Sequence, residues 1–190
     1  MERLTRVQAQ ELTHERLLAA GRVVFLRRGF LAATLEEVAA EAGYTRGAVY
    51  KHFGGKDGLW DALVRTQIEA VLGALRHALG EATSRDDVLA VLNPSVAISD
   101  PDVTRWAVVS AEALAAGAGK NEQARFDGEL TAALAECCER LGLRPAMPVP
   151  HLVAAWGALG GGLMLRHARD DSEDVATIAA GALAALMREA

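Results

Sequence analysis

The sequence predicts an all-α fold. Strand-favouring aromatic residues are few, with four Phe and two Tyr in 190 residues, whereas helix-forming Ala and Leu are abundant. Hydrophobic residues make up 51% of the chain, enough for a buried core, and they recur at spacings of three and four. Without any alternation of strand and helix patterns, we expect about nine helices in two parts, residues 1–55 and residues 56–190.

The first helix is predicted from Thr13 to Arg28, with Gly29 ending it. Residues 1–10 are polar and are expected to form a loose arm before this helix. An arm that carries Arg3 and Arg6 can lie along DNA, although most such tails are only frayed.

Two short helices joined by a tight turn follow. Thr34 is a good N-cap for the first of them, and Gly43 ends it because glycine adopts the left-handed conformation at low cost. Thr45 is placed to cap the second, Arg46 to Phe53. Small Ala39 lets the two helices cross closely. The pattern therefore predicts a helix-turn-helix motif.

The remaining chain predicts six further helices. Ser84 and Ser172 are candidate N-caps, and Pro101 fits the first position of a helix, where its missing N–H costs nothing. The predicted ranges are 56–79, 86–92, 101–116, 121–141, 151–168 and 172–187.

The run Gly43-Tyr-Thr-Arg-Gly-Ala-Val-Tyr-Lys-His-Phe-Gly-Gly-Lys56 closely resembles the signature of the TetR family of bacterial transcriptional regulators. The resemblance covers about residues 12–60, and beyond them only the order and length of the helices are similar. It implies a helix-turn-helix DNA-binding domain over residues 1–55. It also implies a helical domain for effector binding and dimerisation over residues 56–190.

Residues of the second short helix are the candidates for contacting DNA. Arg46 is the best base reader, because a guanidinium can bond guanine O6 and N7 together, and Gly47 lets the backbone approach the duplex. The resemblance implies phosphate contacts for Tyr50, His52 and Lys56. Taken singly, each also fits a core aromatic, a surface histidine or a solvated charge. The full predicted set is Thr34, Thr45, Arg46, Gly47, Tyr50, Lys51, His52 and Lys56.

The distribution of charge agrees with a DNA-binding end. Residues 1–60 hold nine Lys and Arg against seven Asp and Glu, a net charge of +2, although the whole chain carries −5. Residues 61–190 hold eleven against eighteen, a net charge of −7. A mildly basic head on an acidic body fits a protein that contacts DNA at one end.

The last two predicted helices resemble the pair through which this family dimerises as a four-helix bundle. Glycines there would let helix backbones approach closely, and the alternative is a kinked or loosely packed internal helix. A two-fold dimer would place two recognition helices about 34–36 Å apart on a palindrome. The predicted interface residues are Gly157, Gly160, Gly161, Val175, Ile178, Ala182 and Leu186.

The resemblance also implies a cavity for a small-molecule effector in the body. The two Trp candidates can equally fill a core, and Glu112 can be a surface carboxylate on the same helix face as Arg105 rather than the partner of a cationic effector. The candidates are Trp106, Glu112, Phe126, Cys137, Trp156 and Met164.

Other site chemistries are not expected. Cys137 and Cys138 are adjacent and point about 100° apart on a helix, a poor metal site, although a thiol-based redox or soft-metal sensor is an alternative. The five histidines show no zinc spacing, and no nucleophile–base pair is visible, so we expect no cofactor, metal or catalytic residue. No secretory signal or membrane-length apolar run is found, which favours a cytoplasmic, nucleoid-associated protein.

The sequence thus predicts a homodimeric repressor that binds a palindromic operator and is released by an effector. An activator of the same architecture is one alternative. A helical ligand-binding protein without DNA function is another, and a small helical enzyme using Glu112 or Cys137 is a third.

Overall fold

The computed structural model describes residues 5–93, 101–169 and 174–188. Within these ranges the chain forms nine helices, which confirms the all-α prediction. The helices are α1 Arg6–Arg28, α2 Leu35–Ala42, α3 Arg46–Phe53, α4 Lys56–Glu81, α5 Arg85–Leu92, α6 Pro101–Ala116, α7 Lys120–Leu141, α8 Val149–Arg169 and α9 Val175–Leu186.

The start of α1 corrects the predicted loose arm. Thr5 caps the helix through a capping box: its hydroxyl accepts from the Gln8 N–H at 3.2 Å, and the Gln8 side chain accepts from the Thr5 N–H at 2.9 Å. Because this reciprocal pair satisfies two donors at the helix end, α1 begins at Arg6, seven residues before the predicted Thr13. Arg3 lies outside the described residues.

The last helix also differs from the prediction. Asp174 caps α9 by accepting from the Thr177 N–H at 3.0 Å, whereas the predicted cap Ser172 lies outside the described residues. At its end, Met187 leaves the helix and joins Arg188 in a two-residue antiparallel pairing with Arg144 and Pro145. This short pairing (β1 Arg144–Pro145, β2 Met187–Arg188) was not predicted, because two residues carry no alternation pattern.

The helix-turn-helix has the predicted bounds. The Thr34 hydroxyl accepts from the Glu37 N–H, and Gly43 adopts φ 72° and ψ 29°, the left-handed conformation that ends α2. Thr45 stands at the N-cap position of α3 but makes no capping hydrogen bond, unlike the prediction. Local sequence was therefore sufficient to place both helices.

The chain divides into two compact units. The first reaches to Gln67 and includes Val109–Lys120, and the second comprises Ile68–Val108 and the chain from Asn121 onward. The predicted division after residue 55 separates functions rather than packing units and stays a prediction.

An aromatic cluster forms the centre of the first unit. Phe25, Phe30 and Trp60 are at most 4% exposed, and their ring centroids lie 5.4–5.7 Å apart. Val38 of α2 and Val49 of α3 are fully buried. Burial of each such side chain stabilises the fold by about 1.5–3 kcal/mol, so the inner faces of α2 and α3 are fixed and their outer faces are left to solvent.

The second unit has its own core, formed by α4, α5, α7, α8 and α9. Two arginines complete helix ends there. Arg140 donates to the carbonyls of Ala82 and Leu79 at 2.6 and 2.7 Å, and Arg85 donates to those of Met187 and Ala184 at 2.8 Å each. The guanidinium groups thereby satisfy carbonyls that lack partners at the ends of α4 and α9. The buried members of the main cluster are Leu72, Leu79, Ala82, Val88, Leu92, Leu130, Leu134, Cys137, Cys138, Leu152, Val153, Leu183 and Met187.

Candidate nucleic-acid interface

The outer face of α3 presents the predicted base-reading and phosphate-binding side chains to solvent. Arg46, Tyr50 and Lys51 are exposed, and Gly47 lies beside Arg46 in the first turn. The helix period places Gly47 and Lys51 about 160° from Val49, which is fully buried, and Tyr50 about 100° from it. A helix fixed on one face and free on the other can enter a major groove, about 12 Å wide.

The Arg46 side chain contacts two other side chains of the same chain, Glu36 and Tyr50. Its Nη1 lies 2.7 Å from the Glu36 carboxylate of α2, its Nη2 donates to the Tyr50 hydroxyl at 3.0 Å, and its guanidinium carbon lies 5.2 Å from the centre of the Tyr50 ring. The hydrogen bond to Tyr50 and the charge of Glu36 raise the pKa of Arg46 above its ordinary value.

Glu36 is the site residue that sequence reasoning missed. It lies in the first turn of α2, ten positions before Arg46. No sequence signal indicated the pair, because the angle at which α2 and α3 cross brings the two side chains together.

The hydroxyl groups of Thr34 and Thr45 differ in whether they can donate a hydrogen bond to a phosphate. The Thr34 hydroxyl donates to Glu37 Oε2 at 3.1 Å while it accepts from the Glu37 N–H at 3.2 Å, so it is fully engaged in the cap. Hydrogen bonds from Arg28 first, and then from Thr34, lower the pKa of Glu37. Thr45 is exposed and has no capping bond, so its hydroxyl is the readier donor to a phosphate.

Gly47 is not required by the packing of the protein. A Cβ added at this position would meet only the Thr45 hydroxyl, at 3.7 Å, which is an ordinary van der Waals contact. Alanine would also favour the helix more than glycine does. The fold alone therefore gives no reason for a glycine here.

His52 lies half-buried against α1. Its ring centroid is 5.8 Å from that of His14 and 6.1 Å from that of Phe53. Burial first, and then the nearby His14 and Lys51, lower the pKa of His52 below its ordinary 6.5. At neutral pH a phosphate would therefore meet an N–H donor rather than a cation.

The Lys56 ammonium, which was predicted to contact a phosphate, contacts groups of its own chain. Its ammonium donates to the Leu31 carbonyl at 3.1 Å and lies 4.7 Å from the centre of the Phe30 ring. Burial lowers the pKa of Lys56, against the opposing effects of Asp57 and Glu112. The ammonium secures the loop after α1 and has two N–H donors beyond that bond.

The six effector candidates are divided between the two units. Glu112 belongs to the first unit and accepts from the Leu31 N–H at 3.3 Å. In the second unit, Phe126 and Trp156 stack with ring centroids 6.4 Å apart, and the Trp156 indole donates to the Leu92 carbonyl at 2.7 Å. Trp106 is 9% exposed, and Met164 packs against the cluster of Leu163, Val175 and Ala179.

The sixth candidate, Cys137, lines a half-open cleft of about 780 Å³ between α4 and α7. Burial raises the pKa of Cys137, against the opposing effect of Arg140, and burial likewise raises that of Cys138. Thiols with raised pKa carry little thiolate at neutral pH, which disfavours the sensor alternative. The cleft is lined by Arg76, His77, Leu79, Gly80, Glu129, Ala132, Ala133, Glu136, Cys137 and Arg140.

The predicted dimer residues separate into exposed and internal ones. A Cβ added at Gly157, Gly160 or Gly161 would meet nothing within 4 Å, so these positions adjoin open space. Ile178 is 47% exposed, whereas Val175 is 3% exposed and belongs to an internal cluster. Ala182 is half-buried, and so is Leu186, which packs against the main core.

Two further features bear on the class of site. Across residues 5–93, 101–169 and 174–188, no group of three or more His, Cys, Asp or Glu could hold a metal ion. Within the same ranges, none of the helices combines the length and apolar character that crossing a membrane requires.

Comparison with known proteins matches the N-terminal part of the chain to one family. Residues 17–63 match the family model described as bacterial regulatory proteins, tetR family. The HTH-type transcriptional regulator SrpR of Pseudomonas putida is 40% identical over 79 residues, which cover 42% of this chain and 33% of SrpR. The HTH-type transcriptional repressor BepR of Brucella suis is 44% identical over 62 residues, 33% of this chain and 29% of BepR. The matched stretch thus spans about a third of the length of these relatives.

A solved structure extends the likeness to the whole fold. SmeT, the repressor of the Stenotrophomonas maltophilia multidrug efflux pump SmeDEF, superposes with a TM-score of 0.69 at 23% identity, covering 92% of this chain and 90% of SmeT. SrpR and BepR are named as transcriptional regulators, which agrees with the prediction that the protein is not an enzyme. Residues 17–63 thus match the family model of bacterial regulatory proteins, tetR family, and the chain as a whole shares the fold of SmeT.

Proposed function

We propose that the protein is a sequence-specific DNA-binding transcriptional regulator that reads a palindromic operator as a homodimer. The observation that carries the proposal is the outer face of α3, where Arg46, Tyr50 and Lys51 are exposed on a helix fixed by a buried inner face. Arg46 supplies base readout, and Lys51 with the Thr45 hydroxyl supplies phosphate contacts.

A homodimer fits the exposed apolar surface of α8 and α9. Ile178 and Leu165 are 47% and 40% exposed, and Gly157 and Gly161 leave room beside them for a second helix. A two-fold pairing through this surface covers large apolar side chains and provides the two recognition helices that a palindrome requires. Val175, which is buried within its own chain, supports α9 from behind rather than contacting the partner.

The named repressors among the similar proteins and the cleft in the second unit favour repression that is relieved by a small molecule. BepR and SmeT are named as repressors, and the cleft beside Cys137, at about 780 Å³, has the size of a ligand site. An effector bound there would favour a conformation whose recognition helices no longer match the half-site spacing. An activator with the same operator contacts is the alternative mode. Either mode implies a cytoplasmic, nucleoid-associated protein.

Selection of bound sequences from random duplex DNA tests the proposal. The purified protein at moderate salt is expected to enrich a palindrome, and Arg46→Ala is expected to lose preference at one position in each half-site. The loss is about 1–3 kcal/mol of discrimination per contact. If the wild-type protein enriches no sequence in the presence or absence of candidate effectors, the DNA-binding function fails. The helical ligand-binding protein without DNA function then becomes the better description.

A further inference from the structure

The guanidinium of Arg46 is occupied on two of its three nitrogens. Nη1 lies 2.7 Å from the Glu36 carboxylate, and Nη2 donates to the Tyr50 hydroxyl at 3.0 Å. A bidentate contact with guanine O6 and N7 also needs two guanidinium nitrogens. Three of the five Arg46 N–H donors remain, but both present contacts fix the position of the group, so DNA recognition by Arg46 competes with its partners on the protein.

Glu36 is positioned to influence this exchange without serving the fold. Its side chain is 58% exposed, and the capping box of α2 is made by Glu37 instead. Its carboxylate lies on the same surface as Arg46. When DNA occupies this surface, an unpaired Glu36 adds a negative charge beside the phosphates.

The exchange differs between a base edge and a phosphate. Non-specific binding is dominated by phosphates, and replacing a carboxylate by a phosphate on Arg46 gains little because both are anions. A guanine edge offers two aligned acceptors that match the planar guanidinium. The free energy of breaking the Glu36 pair is the same in both cases, so the exchange gains more net free energy with guanine than with a phosphate.

We infer that Glu36 is an intramolecular competitor for Arg46, which holds the guanidinium on α2 until a correctly placed guanine displaces it. The inference rests on the proposed DNA-binding function and assigns a residue to it that itself contacts no base. Its effect falls on operator affinity, because guanine binding by Arg46 breaks the pair.

The test compares Glu36→Gln with a matched control on the same helix, Glu41→Gln. Glu41 pairs with Arg27 at 3.0 Å, so each variant removes one carboxylate and one ion pair from α2, but only one of them releases Arg46. Binding to the selected operator and to a random duplex of equal length is measured by fluorescence anisotropy over a range of salt. Both carboxylates are exposed or half-exposed, so melting temperatures are expected to stay at the wild-type value.

Relative to Glu41→Gln, Glu36→Gln is expected to tighten operator binding by about twofold to fivefold, since exposed ion pairs are individually weak. Binding to random DNA tightens by no more than this, because a phosphate gains less than guanine from the released Arg46. The salt dependence for random DNA steepens by about one counterion, because Arg46 then engages a phosphate.

Two results overturn the inference in distinguishable ways. Equal operator affinities and equal salt slopes for the two variants reject the role of Glu36 while the operator binding of the wild-type protein stands. A wild-type protein that prefers no sequence rejects the proposed function, and the role of Glu36 falls with it.

Discussion

Replacing Gly47 by alanine separates the stability of the fold from its contact with DNA. A Cβ at this position would lie 3.7 Å from the Thr45 hydroxyl and near nothing else within 4 Å. The protein therefore accommodates the methyl group without rearrangement. Gly128 in α7 offers a matched control, since a Cβ there also meets nothing within 4 Å and lies in the second unit.

The two substitutions have calculable effects on stability. Alanine exceeds glycine by about 1 kcal/mol in a helix interior, the position of Gly128, and by about half of that in the first turn, where Gly47 lies. For a chain of this size, 1 kcal/mol shifts the melting temperature by about 2–4 °C. We expect Gly128→Ala to raise the melting temperature by about 2–4 °C and Gly47→Ala to raise it by about 1–2 °C.

The effects on DNA binding are expected to differ in kind. If the backbone at Gly47 approaches the duplex closely, the added methyl group overpacks that contact, at about 1–3 kcal/mol. This corresponds to about fivefold to 150-fold weaker operator binding, measured by fluorescence anisotropy, whereas Gly128→Ala keeps the wild-type affinity. A Gly47→Ala protein that is stabilised and still binds the operator as tightly as the wild type would refute the close approach of α3 at its first turn.

Three further predictions concern the fold, the pH dependence and the dimer. Gly58→Ala places a methyl group onto the Phe53 carbonyl oxygen at the end of α3 and is expected to lower the free energy of unfolding by about 1–3 kcal/mol in chemical denaturation. Gly73→Ala in the same helix as Gly58, where a Cβ has open space, carries no such cost, and equal stabilities of the two variants would contradict the close contact at Gly58. Folding lowers the pKa of His52, so its contribution to stability is complete above pH about 6.5 and is lost as pH falls through the folded-state pKa. His52→Gln is therefore expected to make the melting temperature fall less steeply below pH about 6.5, and an unchanged slope would contradict this. Ile178→Glu places a charge at a 47% exposed position of the proposed dimer surface and is expected to give a monomer in sedimentation velocity. Leu114→Glu, at a 49% exposed position of the first unit, is expected to keep the proposed dimer intact, and a dimeric Ile178→Glu protein would exclude this surface as the interface.

The elements that sequence predicted well are those with local causes. Thr34 and Gly43 determine the two ends of α2 through interactions within a few residues, so α2 and α3 had the right bounds. The start of α1 has an equally local cause, the Thr5 and Gln8 capping box, and it was missed because polar composition was weighed above that motif. The β1–β2 pairing joins residues more than forty positions apart, which no local pattern indicates.

The candidate interface was predictable only in part. Helix periodicity was enough to expose Tyr50 and Lys51 and to bury Val49. The contact of Lys56 with the Leu31 carbonyl depends on how the loop after α1 folds back, and sequence spacing does not encode that. Residue type alone likewise could not tell that Glu112 belongs to the first unit and the other effector candidates to the second.

The intramolecular contacts at the interface have one common consequence for DNA recognition. The ammonium of Lys56, the hydroxyl of Thr34 and the guanidinium of Arg46 each have a partner within their own chain. These contacts restrict the side chains, so a contact to DNA gains less free energy than one made by a side chain with no partner. A phosphate backbone has the same charge everywhere, whereas a correctly placed guanine offers Arg46 two aligned acceptors. We therefore expect discrimination to come from base contacts rather than phosphate contacts, and we expect Glu36 to limit the operator affinity that Arg46 supplies.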